Sequence, residues 1–82
     1  MSKKLSRKIK IVPEKPGKAI KKLEKNGFVL KSKTGSHFYY YRKKIEREYL
    51  VCVFVHSKEL GKPAVKNIIR NSGKTNEEWV SL

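Results

Sequence analysis

Three short β-prone segments follow one another in the middle of the chain, and their order constrains the fold more than any other feature. Residues 28–33 would place Phe28 and Leu30 on one side of a short strand. Residues 37–42 and 49–55 are rich in the aromatic and apolar side chains that strands favour. Residues 34–36 and 43–48 separate them with glycine, polar and charged side chains typical of turns. Because strands joined by short turns pair antiparallel, we expect a three-stranded antiparallel sheet, with residues 49–55, the most apolar strand, at its centre.

An amphipathic segment precedes the strands and is predicted to be a helix over residues 16–26. Pro16 suits the first helical position, and Asn26-Gly27 is a typical helix stop. The apolar face consists of Ala19, Ile20 and Leu23. Most of the other face is lysine, which we expect either in solvent or against phosphate: Lys18, Lys21, Lys22 and Lys25.

A second helix is predicted after the strands, beginning at Pro63 and ending at Ser72-Gly73. Thr75 and Glu78 have the spacing of a capping box for a short terminal turn. Trp79 then packs on the core or, if exposed, stacks on a base. The apolar face of the second helix is formed by Ala64, Val65, Ile68 and Ile69.

The predicted order is α-β-β-β-α, so the fold class is α+β, with both helices on one face of the antiparallel sheet. This is the pattern of a double-stranded-RNA-binding type of domain, and it leaves the other sheet face and the turns for a ligand. We expect residues 16–82 to form a single domain. Residues 1–15 form a basic arm, either an extended tail or a strand that grips phosphate or a partner; its apolar residues Ile9, Ile11 and Val12 would suit an edge strand.

The charge of the chain is strongly positive and unevenly distributed. The 82 residues have a net charge of +14. Residues 1–47 contain sixteen Lys and Arg against three Glu, whereas residues 48–82 contain five against four. This distribution favours a polyanionic partner, and we expect nucleic acid.

Missing residue types narrow the chemistry. The chain has no Asp, and its seven acidic residues lie mostly among Lys and Arg, which disfavours a metal-dependent nuclease built on clustered carboxylates. A single cysteine, Cys52, excludes an internal disulfide and a cysteine-rich zinc site, and we expect it to be buried. No apolar run approaches the roughly 20 residues of a membrane span, and the basic first residues lack the apolar region of a secretory signal. We therefore expect a cytoplasmic protein without membrane contact or cofactor.

Gly35-Ser36-His37 has the clearest potential for chemistry. Histidine exchanges protons near neutral pH, and the turn before it can offer backbone N–H groups to a phosphate. Strand alternation places His37 on one face with Tyr39 and Tyr41, which either stack on bases or only cover the sheet. Basic side chains suited to phosphate lie on both sides of the motif: Lys31, Lys33, Arg42 and Lys43. Together these residues suggest acid–base chemistry on a phosphodiester.

Three stretches of the chain, in this order and spacing, resemble one known family. Residues 22–28 match a helix end followed by glycine and an aromatic residue, Gly35-Ser36-His37 matches a histidine motif, and residues 53–73 match a strand, loop and second helix. The family is that of the HicA toxins, small messenger-RNA endonucleases paired with a HicB antitoxin. The chain departs from it at Phe54, where a proline is frequent, at Pro63-Ala64, where Gly-Thr is usual, and in its longer basic arm.

The resemblance implies the toxin of a type II toxin–antitoxin pair that cleaves messenger RNA without a metal ion, with His37 as the single catalytic histidine. An acidic, HicB-like antitoxin would cover His37 and the basic surface. His56 is a candidate second acid–base group if it shares a face with His37, and otherwise only ends its strand. Two other functions stay open, a non-catalytic, ribosome-associated RNA-binding module of the same fold and a basic DNA-binding protein, and so does a homo-oligomeric state.

Overall fold

The computed structural model describes residues 10–56 and 58–82. It confirms the α+β class, with a helix, three antiparallel strands and then helices. The second helix begins one residue earlier than predicted, and a short third helix follows it. The elements are α1 (Pro16–Lys25), β1 (Val29–Thr34), β2 (His37–Lys43), β3 (Glu48–Phe54), α2 (Lys62–Ser72) and α3 (Asn76–Val80). Ile9 and the basic residues before Lys10 lie outside the described residues.

The described sheet has the strand order β1-β2-β3, and both neighbouring pairs are antiparallel. The prediction that residues 49–55 form the central strand is therefore wrong, because β2 lies at the centre and β3 at an edge. Two successive hairpins place the middle strand of the sequence between the other two. β3 is apolar because both long helices pack against one of its faces.

The side chains of β3 alternate between a covered and an uncovered face. Val51 and Val53 are fully buried beneath the helices, whereas Leu50, Cys52 and Phe54 are exposed on the other side. The prediction that Cys52 is buried is wrong, because the alternation of the strand decides which face the side chain takes. We call the uncovered side the open face; its exposed and half-buried side chains include Val29, His37, Tyr39, Tyr41, Leu50, Cys52 and Phe54.

A β-bulge interrupts β1 at Lys31. Leu30 pairs with Tyr40 and Ser32 with Tyr39, so Lys31 is an extra residue without a partner across the strand pair. Its Nζ lies 4.8 Å from the centroid of the Tyr41 ring, which belongs to the open face. The bulge therefore adds a cation to the edge of the open face.

Local signals at the helix ends are confirmed. Gly27 and Gly73 follow α1 and α2 with φ values of 85° and 79°, in the left-handed region that favours glycine. The capping box of α3 is present: Thr75 Oγ1 accepts a hydrogen bond from the Glu78 N–H at 3.1 Å, and Glu78 Oε1 accepts one from the Thr75 N–H at 2.8 Å. These contacts position the short helix that contains the tryptophan.

Trp79 is buried, as predicted, and it forms a cluster with Glu14 and Lys22. Glu14 Oε2 accepts hydrogen bonds from Lys22 Nζ at 2.7 Å and from Trp79 Nε1 at 3.1 Å. The prediction that Lys22 lies in solvent or on phosphate is wrong, because the carboxylate and the indole ring hold its buried ammonium group. Glu14 also forms an isolated antiparallel bridge with Leu60, and Ile11 joins the core. Residues 10–15 are therefore packed on the domain.

None of the helices in residues 10–56 and 58–82 is long and apolar enough to cross a membrane.

Candidate RNA-cleavage site

The β1–β2 hairpin places His37 at the start of β2. Thr34 and His37 form the last pair of the ladder, so Gly35 and Ser36 make up a two-residue turn. Gly35 has a φ of 57°, and among the described residues only glycines have positive φ. A glycine with positive φ at the first of two turn positions is typical of a type II′ hairpin turn. The sequence thus specifies the turn that presents His37.

The turn is also fixed to the end of β3. The Val55 N–H donates a hydrogen bond of 2.7 Å to the Ser36 carbonyl oxygen. Because His37 pairs with Phe54 in the β2–β3 ladder, their side chains share the open face. The His37 imidazole stacks on the Phe54 ring, with centroids 5.0 Å apart and planes inclined by 26°. An exposed imidazole is therefore oriented by a neighbouring aromatic ring.

His56, two residues after the end of β3, contacts the same Phe54 ring. Its ring centroid lies 4.5 Å from that of Phe54, with an interplanar angle of 43°. The Lys58 N–H donates a hydrogen bond of 3.1 Å to His56 Nδ1. In the neutral ring this assigns the proton to Nε2, which is then available as a donor. The structure thus brings His37 and His56 together around Phe54, a juxtaposition that the sequence left open.

The predicted phosphate-binding residues do not all lie near these histidines. Lys31 is on the open face, whereas Lys33 extends over Phe38, on the face that carries the helices. Arg42 approaches Gly27 at the end of α1. Lys43 lies six residues along β2 from His37, which is about 20 Å at the rise of a strand. Gly35, Ser36 and His56 are therefore the predicted residues closest to His37 along the chain or across the sheet.

Two tyrosines near the site have raised pKa values. Burial, and then the charge of Glu24, raises the pKa of Tyr40, which lies on the covered face. Desolvation, and then the charge of Glu48 and a hydrogen bond to it, raises the pKa of Tyr41 on the open face. Both phenols therefore keep their protons near neutral pH.

Phe54 is a neighbour of His37 that the sequence did not indicate. In the sequence it is only a departure from a frequent proline, because its contact with His37 depends on the register of the β2–β3 hairpin. Counting back from a hairpin loop of known length would have paired the two residues. Within the described residues, no three His, Cys, Asp or Glu side chains are grouped as potential ligands of a metal ion.

A comparison with protein-family models matches residues 16–74 to the HicA toxin of bacterial toxin–antitoxin systems. This range contains α1, the whole sheet, α2 and both histidines. The chain belongs to the HicA toxin family. A comparison with curated proteins gives no match. Membership in the HicA family confirms the resemblance and makes the chain the toxin of a toxin–antitoxin system, a class that acts on messenger RNA and has an antitoxin partner.

Proposed function

We propose that this HicA toxin is an endoribonuclease that cleaves messenger RNA without a metal ion and uses His37 for proton transfer. The observation that carries the proposal is the exposed His37 imidazole, which stacks on Phe54 directly after the two-residue turn of the β1–β2 hairpin. Exposure gives the ring access to a long polymer, and the aromatic contact limits its orientations. The family match supports an RNA substrate.

The reaction needs only groups that RNA and histidine supply. The ribose 2′-hydroxyl loses its proton and attacks the adjacent phosphorus, while the P–O5′ bond breaks and the departing oxygen gains a proton. The products are a 2′,3′-cyclic phosphate and a 5′-hydroxyl. His37 removes or delivers one of these protons, and His56, beside the same phenyl ring, is the candidate for the other. Positive charge on the chain attracts the phosphates.

His37→Ala tests the proposal directly. We expect cleavage of single-stranded RNA in excess EDTA to fall by about 10²–10⁴-fold, the usual contribution of a positioned histidine. RNA affinity should change little, because charge supplies most of the binding. An equal loss of affinity and cleavage would instead make His37 a binding residue.

A matched substrate separates mechanism from binding. RNA with a single 2′-deoxyribose at the cut position should bind normally and resist cleavage at that bond, because the internal nucleophile is missing. Cleavage of this substrate, or restoration of activity by Mg²⁺ only, would contradict the proposed chemistry. If wild-type protein binds RNA tightly and never cuts it, the chain is an RNA-binding module instead.

We also propose that the neutralising partner is an acidic, HicB-like antitoxin that covers His37. The open face combines exposed apolar side chains, Val29, Leu50 and Phe54, with the cation Lys31 at its edge. An acidic protein with an apolar centre complements this face. In the cytoplasm, where messenger RNA is translated, such a complex would hold the toxin inactive. Binding should weaken as salt concentration rises, and it should protect His37 from chemical modification.

A further inference from the structure

A basic cleft opens between the first turn of α1 and the end of β3. Its volume is about 490 Å³. We call it the α1 cleft, and it is lined by Lys15, Pro16, Gly17, Lys18, Lys21, Val55 and His56. Apart from its chain neighbours and the backbone of the helix, no heavy atom lies within 4 Å of the position that a Cβ of Gly17 would take, so the start of the helix is open to a ligand.

The lining of the α1 cleft is suited to an anion. Three of the seven lining residues are lysines, a fourth is histidine, and none is acidic. Within residues 10–56 and 58–82 these lysines form no ion pair, whereas nearby Lys22 is neutralised by Glu14. The cleft therefore concentrates uncompensated positive charge, which a phosphate would neutralise.

His56 connects the α1 cleft with the cleavage site. Its Nδ1 accepts the Lys58 N–H, so the Nε2–H is left as a donor. The same imidazole contacts Phe54, and Phe54 contacts His37. Phe54 is 44% exposed, so a nucleotide can lie across it. One phenyl ring thus separates His37 from the wall of the cleft.

We propose that the α1 cleft is a phosphate subsite that binds an RNA backbone phosphate flanking the scissile one. This inference rests on the proposed ribonuclease function. The scissile linkage lies over Phe54, between His37 and His56, and Lys15, Lys18 and Lys21 bind the neighbouring phosphate. The subsite fixes the position of the RNA strand, so that the linkage to be cut lies at His37.

Coupling between a protein variant and a neutralised phosphate tests the subsite. The probe is an RNA with a mapped cut position, protected there by one 2′-deoxyribose, in which single linkages near that position are replaced in turn by uncharged methylphosphonate. The protein variant is Lys15→Gln/Lys21→Gln. Its control is Lys25→Gln/Lys62→Gln, which removes the same charge from exposed positions outside the cleft. Dissociation constants are measured by fluorescence anisotropy, and thermal unfolding confirms that each variant is folded.

We expect one methylphosphonate position to weaken binding to wild type and to the control by about tenfold, as the loss of a charge-assisted contact does. The same substitution should change the affinity of Lys15→Gln/Lys21→Gln by less than about twofold, because that contact is already absent. Equal effects in all three proteins would overturn the subsite and leave the lysines with general attraction only. If wild type cuts RNA but no methylphosphonate position weakens its binding, the subsite is refuted and the ribonuclease function stands. If wild type neither binds nor cuts RNA, the proposed ribonuclease function is refuted, and the subsite with it.

Discussion

Replacement of the buried Lys22 by methionine should destabilise the domain far more than a surface lysine change does. The side chains of Lys22 and Glu14 are only 8% and 6% exposed. Their 2.7 Å contact is the only ion pair within residues 10–56 and 58–82. Methionine fills a similar volume without the charge. It leaves the buried carboxylate with the Trp79 N–H as its partner, while Glu14 Oε1 already has none among the described residues.

The expected loss follows from this burial. Removing one partner of a buried ion pair costs about 3–5 kcal/mol, because an uncompensated charge remains. We take the lower end, about 3 kcal/mol, because the indole N–H still donates to the carboxylate. A domain of this size has only about 5–15 kcal/mol of stability, and each kcal/mol shifts the Tm by about 4–8 °C. Lys22→Met should therefore lower the Tm by about 12–24 °C.

Urea unfolding followed by tryptophan fluorescence measures the effect, since Trp79 is the only tryptophan and belongs to the cluster. The control Lys25→Met, on an exposed position of the same helix, should change the stability by less than about 0.5 kcal/mol. The double variant Glu14→Leu/Lys22→Met should recover most of the loss, leaving about 1 kcal/mol for the unpaired indole N–H. A loss below about 1 kcal/mol in Lys22→Met, or additive losses in the double variant, would refute the reasoning.

Three further changes test other parts of the molecule. Gly73→Ala should lower the free energy of unfolding, measured in urea, by about 2–4 kcal/mol. A Cβ there would lie 2.5 Å from Tyr49 Cε1, and the residue has a φ of 79°. A loss below about 1 kcal/mol would show that the Tyr49 ring moves aside at little cost. The N–H of Thr75 lowers the pKa of Glu78, so the carboxylate stabilises the fold above the unfolded pKa of glutamate and this contribution is lost as the pH falls through the lowered value. The Tm values of Glu78→Gln and wild type should accordingly differ at pH 7 and converge in acid, and a constant difference would contradict this. Phe54→Ala should reduce RNA cleavage with little loss of stability, whereas Phe54→Tyr should retain cleavage. Equal cleavage rates in the two variants would show that the aromatic ring does not contribute to cleavage.

Features that depend on neighbouring residues could be predicted from the sequence. The glycine after α1, the capping box of α3 and the positive φ of Gly35 each follow from a few adjacent residues. The same holds for the order of the elements, because hydrophobic periodicity is local. His37 was placed after a turn for the same reason.

Features that depend on distant partners were missed. Lys22 lies at the border of the apolar face of α1, and its burial requires Glu14 on one side and Trp79, 57 residues later, on the other. The apolar character of residues 49–55 correctly indicated a strand that contributes to the core, through Val51 and Val53. It did not distinguish a strand covered by helices on one face from a strand between two others. The contact of His37 with Phe54 depends on the register of the β2–β3 hairpin. That register follows only if the ends of the hairpin loop are located to within one residue, which the sequence did not allow.

The bulge at Lys31 also affects which chains the toxin can associate with. β1 is an edge strand of the described sheet, and such an edge offers unpaired N–H and C=O groups to any strand that aligns with it. Lys31 interrupts the regular pairing of β1 with β2 and so distorts this edge strand, and Lys33 adds a second positive charge two residues later. A second copy of a chain with a net charge of +14 would be repelled from this edge, whereas an acidic strand would be attracted to it. The bulge and the two lysines therefore make this edge a poor template for pairing with a second copy of the chain.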